Sequence, residues 1–304
     1  MEWQTLWKEI TGISVLLLII IALTIAIVKK DNIDIVYTWV DSNDQQWLKR
    51  YNKYSYNKNF DARVSNTINS WDELELSIKL VRKNMPWIKN IYVITQRPQK
   101  PPKSILSKIK LVYHDQIGLY HNTYNSMSIE SLLHKIPGLS EKFIYFNDDM
   151  YILKPRKRTD FFTPRGKPIM QISNNLTNNL DSSKENQFTK NLKNIKKLVL
   201  SKSITFNCIT HTPTPMTKRL MGKTKSLFKD DWAYTQLSTV RSDRDIIPFY
   251  IASCVGIHMN NCKVNNNHKI FFSENDIPDD RDYDIACINS IKKDTFDRFK
   301  KKYS

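Results

Sequence analysis

KFIYFNDDM, residues 142–150, is the stretch that decides the fold. Phe143, Ile144, Tyr145 and Phe146 are aromatic or β-branched, the composition of a short strand covered by other elements. Asn147, Asp148 and Asp149 follow without a break. In an open α/β sheet, ligands gather at the carboxyl ends of the strands. Two adjacent carboxylates at such an end suit a divalent cation, or a phosphate reached through one. A solvated loop produces the same two letters, so the pair takes its meaning from the rest of the chain.

Upstream, the pattern repeats. Ile33 to Val40 is a second apolar run, and it empties into Asp41-Ser42-Asn43-Asp44. Asp34 sits inside that run, where an unpaired carboxylate is costly, so it needs a cap role or a specific partner. Ser70 and Glu73 form a capping-box pattern. Trp71, Leu74, Ile78, Val81 and Met85 then mark one face of a helix that Pro86 ends. Strands are expected at Ile91–Thr95 and Ile109–Tyr113, and a second helix at Asn125–Lys135. Strands alternating with helices imply an α/β fold, a mostly parallel sheet with helices on both faces. Neither G-x-G-x-x-G nor a P-loop is present, which argues against a dinucleotide oxidoreductase or a P-loop ATPase. Nucleotide-sugar enzymes, which hold a diphosphate with acids, a metal and basic side chains, remain.

The chain of 304 residues carries a formal charge of +17, from 47 basic and 30 acidic residues. That balance favours an anionic partner. Lysine is spread throughout and no arginine-rich patch stands out, so nucleic acid is not the expected partner. The four cysteines, Cys208, Cys254, Cys262 and Cys287, contain no C-x-x-C pair, which leaves no sign of a zinc site. A Cys254–Cys262 disulfide is open if the domain meets an oxidising compartment.

Thr11 to Val28 is an 18-residue, largely apolar run. As a helix it spans about 27 Å, close to a bilayer core. Lys29-Lys30-Asp31 follows instead of a small-x-small cleavage site, which favours an uncleaved, single-pass anchor over a signal peptide. The expected organisation is a transmembrane anchor over 1–30 and a catalytic domain over 31–304 at the membrane. The domain divides into a nucleotide-sugar-binding block, 31–165, and a second block, 166–304. The side of the membrane stays open, because two lysines are little to weigh.

In the second block, residues 173–194 read as an exposed loop. Leu192, Ile195 and Leu198 suggest a basic amphipathic helix, a solvated surface first and a polymer groove second. His211 follows a short apolar run, and Trp232 and Tyr234 fall on a helix where core packing is their default role.

The runs DIVYTWVDSND (34–44), ELELSIKLVRKNMPWIKNIYVIT (73–95) and NTYNSMSIESLLHKIPGLSEKFIYFNDDM (122–150), with His211, Arg241 and Cys287-Ile288-Asn289, resemble the Stealth family. These are sugar-1-phosphate transferases of capsular polysaccharide synthesis, related to the lysosomal-enzyme N-acetylglucosamine-1-phosphotransferase. The resemblance implies transfer of a sugar-1-phosphate from a UDP-sugar, a UDP-N-acetylhexosamine first, to a glycan hydroxyl with release of UMP. His211 is then the base and Arg241 the phosphate clamp. Asp148 and Asp149 hold the donor diphosphate through Mg²⁺ or Mn²⁺. Asp34, Trp39, Asp41, Asn125, Asn147 and Arg63 contact the donor, and Asn289 completes the site. Two departures stand out. Ser290 replaces the acid that ends the family's last signature, and Ser42 stands where relatives often have glycine. A glycosyltransferase releasing UDP, a non-catalytic glycan-binding relative, and a basic module for nucleic acid or lipid surfaces are the rival readings.

Overall fold

In the computed structural model, the described residues are 3, 11, 13–19, 32–55, 70–266, 268–273, 276–278, 282–288 and 293–303. The strands are β1 (Ile33–Thr38), β2 (Ile91–Thr95), β3 (Lys110–Tyr113), β4 (Lys142–Asn147), β5 (Met150–Ile152), β6 (Ile169–Met170), β7 (Thr214–Thr217), β8 (Lys263–Val264), β9 (Ile270–Ser273) and β10 (Ile285–Ile288). The longer helices, with one short one at the site, are α1 (Gln45–Ser55), α2 (Ser70–Asn84), α3 (Ser126–Glu130), α4 (Gln187–Leu200), α5 (Lys218–Leu227), α6 (Lys229–Leu237), α7 (Pro248–His258) and α8 (Lys293–Tyr303).

The main sheet has the order β3-β2-β1-β4-β7. Strands β1 to β4 are parallel, with Thr38 level with Asn147 and with Ile94. Each is apolar along its length because both faces are covered. The pleat divides them. Ile35, Tyr37, Ile144 and Phe146 pack with Leu74, Ile78, Val81 and Met85 of α2. Val36, Phe143 and Tyr145 pack on the other side with Met221, Trp232, Phe249 and Ile251 from α5, α6 and α7. Trp232 is thus a core residue, its indole N–H donating to the Ser131 carbonyl at 3.2 Å.

Two expectations about the fold are corrected. The architecture is mixed, not a mostly parallel sheet behind a membrane helix. Strand β7 runs antiparallel to β4, and a second sheet, β5-β10-β9, combines one antiparallel and one parallel pairing. The transmembrane anchor and the single-pass membrane localisation are the second correction. No helix among the described residues is long and apolar enough to cross a membrane. Residues 11 and 13–19 are helical. Residues 12 and 20–28 of the expected span lie outside the described residues.

Three smaller readings shift as well. Asn125–Lys135 is α3 followed by a 3₁₀ turn at Leu133–Lys135, with Asn125 as the cap. The supposed loop at 173–194 contains the helix Asn174–Asn179, capped by Ser173, and the start of α4. All four cysteines are free and buried, so Cys254 and Cys262 are not joined. Three of the four lysines of α4 are engaged with acids, Lys190 with Asp243, Lys193 with Glu185 and Lys196 with Asp181, which favours the solvated-surface reading of that helix.

Asp34 shows how the first strand is anchored. It lies at the amino end of β1, fully buried. One carboxylate oxygen accepts the backbone and side-chain N–H of Asn90 at 3.0 and 2.8 Å, and the other accepts the Ser140 N–H at 2.7 Å. Asp34 therefore ties together the loops that lead into β2 and β4. Asp34→Ala would leave these donors without partners, at about 1–3 kcal/mol each. The expected result is a urea midpoint lowered by on the order of 3 kcal/mol of stability, with donor KM unchanged in the folded fraction.

Candidate active site

The carboxyl ends of β1 and β4 lie side by side, and the chain turns there from β4 into β5. Asp148 and Asp149 occupy that corner between the two sheets. Because β7 is antiparallel to β4, its first residue, Thr214, stands near the carboxyl end of β4, opposite Tyr145. The segment leading into β7 therefore reaches the same rim, and it carries His211. A parallel β7 would have left His211 at the far end of the sheet.

Asp149 is buried, 6% exposed. Its backbone carbonyl accepts the Ile288 N–H at 3.0 Å, which fixes it to β10. One carboxylate oxygen lies 3.5 Å from the Cys287 thiol, which donates to it. The other is buried with no hydrogen-bond partner. Burial pushes the Asp149 carboxyl above its ordinary range, and the nearby His211 pulls the other way. Asp148 is also raised, by burial first and then by Asp149. Its charge acts on Tyr37, on the opposite face of the sheet. Asp148 does not line the cavity described next.

A cavity of ≈ 310 Å³ opens at this corner, lined by Ser126, Glu130, Asn147, Asp149, His211 and Arg241 among others. That volume lies in the range of small-molecule sites. Arg241 comes from the loop between α6 and α7 and is exposed, its guanidinium donating to Ser126 Oγ at 3.1 Å. Asp245 secures that loop. Its carboxylate accepts from Ser238 Oγ at 2.6 Å, the Ser242 N–H at 2.7 Å and Asn125 Nδ2 at 2.9 Å. Asn125, expected to contact the donor, thus holds Asp245 and caps α3 through the Met127 N–H.

A chain of polar contacts runs under the cavity floor. Glu130 of α3 is buried, and desolvation lifts its carboxyl to about 7, against the opposing charge of Arg241. Tyr145 of β4 meets three oxygens, Thr38 Oγ1 at 3.0 Å, Glu130 Oε1 at 3.1 Å and Asn147 Oδ1 at 2.6 Å. Its shortest contact is to Asn147, which leaves the Asn147 amide N–H₂ facing His211 Nε2 at 3.4 Å. An amide donor there places the lone pair of His211 on Nε2. The Tyr145 ring is itself fixed by stacking on Phe249 at 4.2 Å.

The remaining expected residues fall elsewhere. Asp34 is at the opposite end of β1, away from the carboxyl rim. Trp39 is buried beside the rim, its N–H on the Ile94 carbonyl. Asp41 accepts the Asn43 N–H, while its own N–H meets Gln99. Both shape the loop after β1, and neither lines the cavity. Arg63, Asn289 and Ser290 lie outside the described residues. The structure adds Glu130, Tyr145 and Cys287. Strand alternation was the available signal for Tyr145, since it shares a face with Phe143 and Asn147. Nothing local marked Glu130 or the contact made by Cys287.

Asp149, His211 and Cys287 offer one oxygen, one nitrogen and one sulfur within 4.8 Å of one another. With the unpartnered Asp149 oxygen, this is a donor set that suits a divalent cation. It differs from the adjacent aspartate pair expected. An imidazole and a thiol disfavour Mg²⁺, which takes oxygen ligands, and suit a softer ion better.

Residues 31–58 match Stealth protein CR1, conserved region 1, and residues 67–170 match Stealth protein CR2, conserved region 2. A capsular polysaccharide phosphotransferase of Neisseria meningitidis serogroup B is 36% identical over 220 residues, covering 66% of this chain and 57% of that protein. One from Haemophilus influenzae is 34% identical over 214 residues, covering 66% and 58%. The chain thus spans less than two thirds of the length of these relatives. Among solved structures, the galactosyltransferase LgtC with donor and acceptor sugar analogues superposes with a TM-score of 0.45 at 10% identity, over 89% of this chain and 93% of that one. A likeness that loose carries no argument about chemistry. Through its two conserved regions, the chain belongs to the Stealth family.

Proposed function

We propose that the cavity transfers a sugar-1-phosphate from a UDP-sugar, a UDP-N-acetylhexosamine in the first instance, to a glycan hydroxyl and releases UMP. One observation carries the reading. Arg241, His211 and Asp149, from three separate segments, converge on one cavity at the carboxyl rim of a chain with Stealth regions 1 and 2. The capsular phosphotransferase names of the relatives supply the substrate class.

The acceptor oxygen forms a bond to the sugar-bearing phosphorus. The bond from that phosphorus to the bridging oxygen breaks, and UMP leaves with the electron pair. The acceptor proton goes to His211 Nε2, in place of the Asn147 contact. Arg241 neutralises charge spreading over the phosphoryl oxygens, with its fork aimed by Ser126. Glu130, behind it, keeps the guanidinium from turning away. A divalent cation on Asp149, His211 and Cys287 supplies Lewis-acid charge to the diphosphate when bound. His211 then serves either the cation or the proton, and the pH profile with and without added metal separates these uses.

The test is nucleotide release by the full chain, supplied with UDP-N-acetylglucosamine, Mn²⁺ and a panel of hexose and N-acetylhexosamine oligosaccharides. The expected product is acceptor-dependent UMP. UDP would replace this reading with glycosyl transfer. Bound donor with neither product would make the chain a non-catalytic relative.

A further inference from the structure

One side chain at the cavity is explained neither by packing nor by the reaction. Phe272, on β9, is 54% exposed. It lies in register with Cys287 of β10, which in turn lies in register with Met150 of β5. Directly paired residues point to one face of a sheet. The row Met150–Cys287–Phe272 therefore runs outward from the buried corner at Asp149 to the cavity mouth. Phe272 lines the cavity there, and its ring meets the His211 ring edge-on at 6.2 Å.

A half-exposed phenylalanine is unremarkable on an open surface. Here it stands beside the one imidazole of the cavity, with Thr210, Thr212 and Asn186 as polar neighbours in the lining. A second ring, Phe188 of α4, also lines the space and is held edge-on by Tyr250 at 5.7 Å. The cavity thus has a charged part, Arg241 and Asp149, and an aromatic part reached from solvent through Phe272. A pyranose has the matching character, with a face of C–H groups and a rim of hydroxyls. Flat apolar rings bury such a face at little entropic cost, while the hydroxyls stay free to hydrogen-bond.

We propose that Phe272 is the acceptor platform. The C–H face of the acceptor's terminal sugar packs on its exposed ring, and one hydroxyl of that sugar is thereby brought to His211. The proposal rests on the transfer reading of the cavity, and its test is arranged to fail separately from that reading.

Binding of the oligosaccharide panel to the full chain is measured by titration without donor, for the wild type, Phe272→Ala and Phe272→Trp. Donor affinity is measured in parallel with UDP-N-acetylglucosamine. The expected result is that Phe272→Ala weakens oligosaccharide binding tenfold or more, Phe272→Trp restores it, and donor affinity stays within twofold. Where turnover is seen, acceptor KM follows the same order. Unchanged oligosaccharide binding in Phe272→Ala overturns the proposal. So does a wild type that binds no member of the panel, or a loss of donor affinity equal to the loss of acceptor affinity. A wild type that binds oligosaccharide through Phe272 but releases UDP, or no nucleotide, leaves the platform standing and removes the transfer reading.

Discussion

Asp149→Asn is expected to lower turnover by a hundredfold or more while making the protein more stable at neutral pH. The activity loss follows from geometry. Asp149 provides a buried carboxylate within 4.8 Å of ligand atoms of His211 and Cys287, one of its oxygens unpartnered, and an amide in its place removes the negative charge that attracts a cation. Loss of one preorganised electrostatic partner in such a site costs about 10²–10³ in kcat. The stability gain follows from burial. The folded state holds the Asp149 carboxyl above its ordinary value of 3.8. Between that value and the raised folded one, the native state binds more proton than the unfolded state. Stability therefore falls as pH rises through this interval, and the loss is complete above the folded pKa. Asparagine has no such loss. The variant should melt higher than the wild type at pH 7, and the difference should vanish below about pH 4, where Asp149 is protonated in both states. Comparing the two proteins at each pH is essential, because burial holds His114 and His134 near 4, so that their contribution has the opposite slope. A variant that is no more stable at pH 7 would mean that Asp149 is not held at an energetic cost.

Arg241→Ala is the second large effect, a fall in kcat/KM of about a hundredfold, or roughly 3 kcal/mol of transition-state stabilisation. Arg241→Lys should recover only part of this, since a single ammonium lacks the fork that meets two phosphoryl oxygens. Stability should hardly change, because the side chain is exposed and its loop is secured by Asp245 instead. The contrast is with Asp245→Ala, which removes the acceptor for three donors and loosens the loop. A kcat/KM for Arg241→Ala within a fewfold of wild type would take the phosphate clamp away from this residue.

The rim was the most readable part of the molecule. Strands β1, β2 and β4 are apolar runs that end in polar residues, and that pattern alone locates the carboxyl ends where Asn147 and Asp149 stand. Strand β7 could not be read in the same way. Its sequence, Thr214-Pro215-Met216-Thr217, contains a proline and resembles a loop. An edge position tolerates a proline that a central strand would reject, and only pairing with β4 makes the segment a strand. His211 was identified by resemblance, but its arrival beside Asn147 depends on that unreadable strand. Asp34 was read in part. An acid inside an apolar run signals a specific partner, and the partners are Asn90 and Ser140 at the amino end of the strand. Glu130 and Cys287 enter the site through pairings distant in sequence, α3 against the end of β4 and β10 against β5. No local spacing carries that information.

The reversed edge strand also sets when the cavity is completed during synthesis. Tyr145 and Thr214 are neighbours in the sheet but about 70 residues apart in the chain, and such distant pairings form late. A nascent chain that has completed β5 already displays Asn147 and Asp149, yet it has neither the base nor the clamp. Cys287 arrives later still. Asp149, His211, Arg241 and Cys287 are each delivered by a different stretch of polypeptide, so no fragment ending before β10 brings all four together. Competence is thereby coupled to completion of the fold.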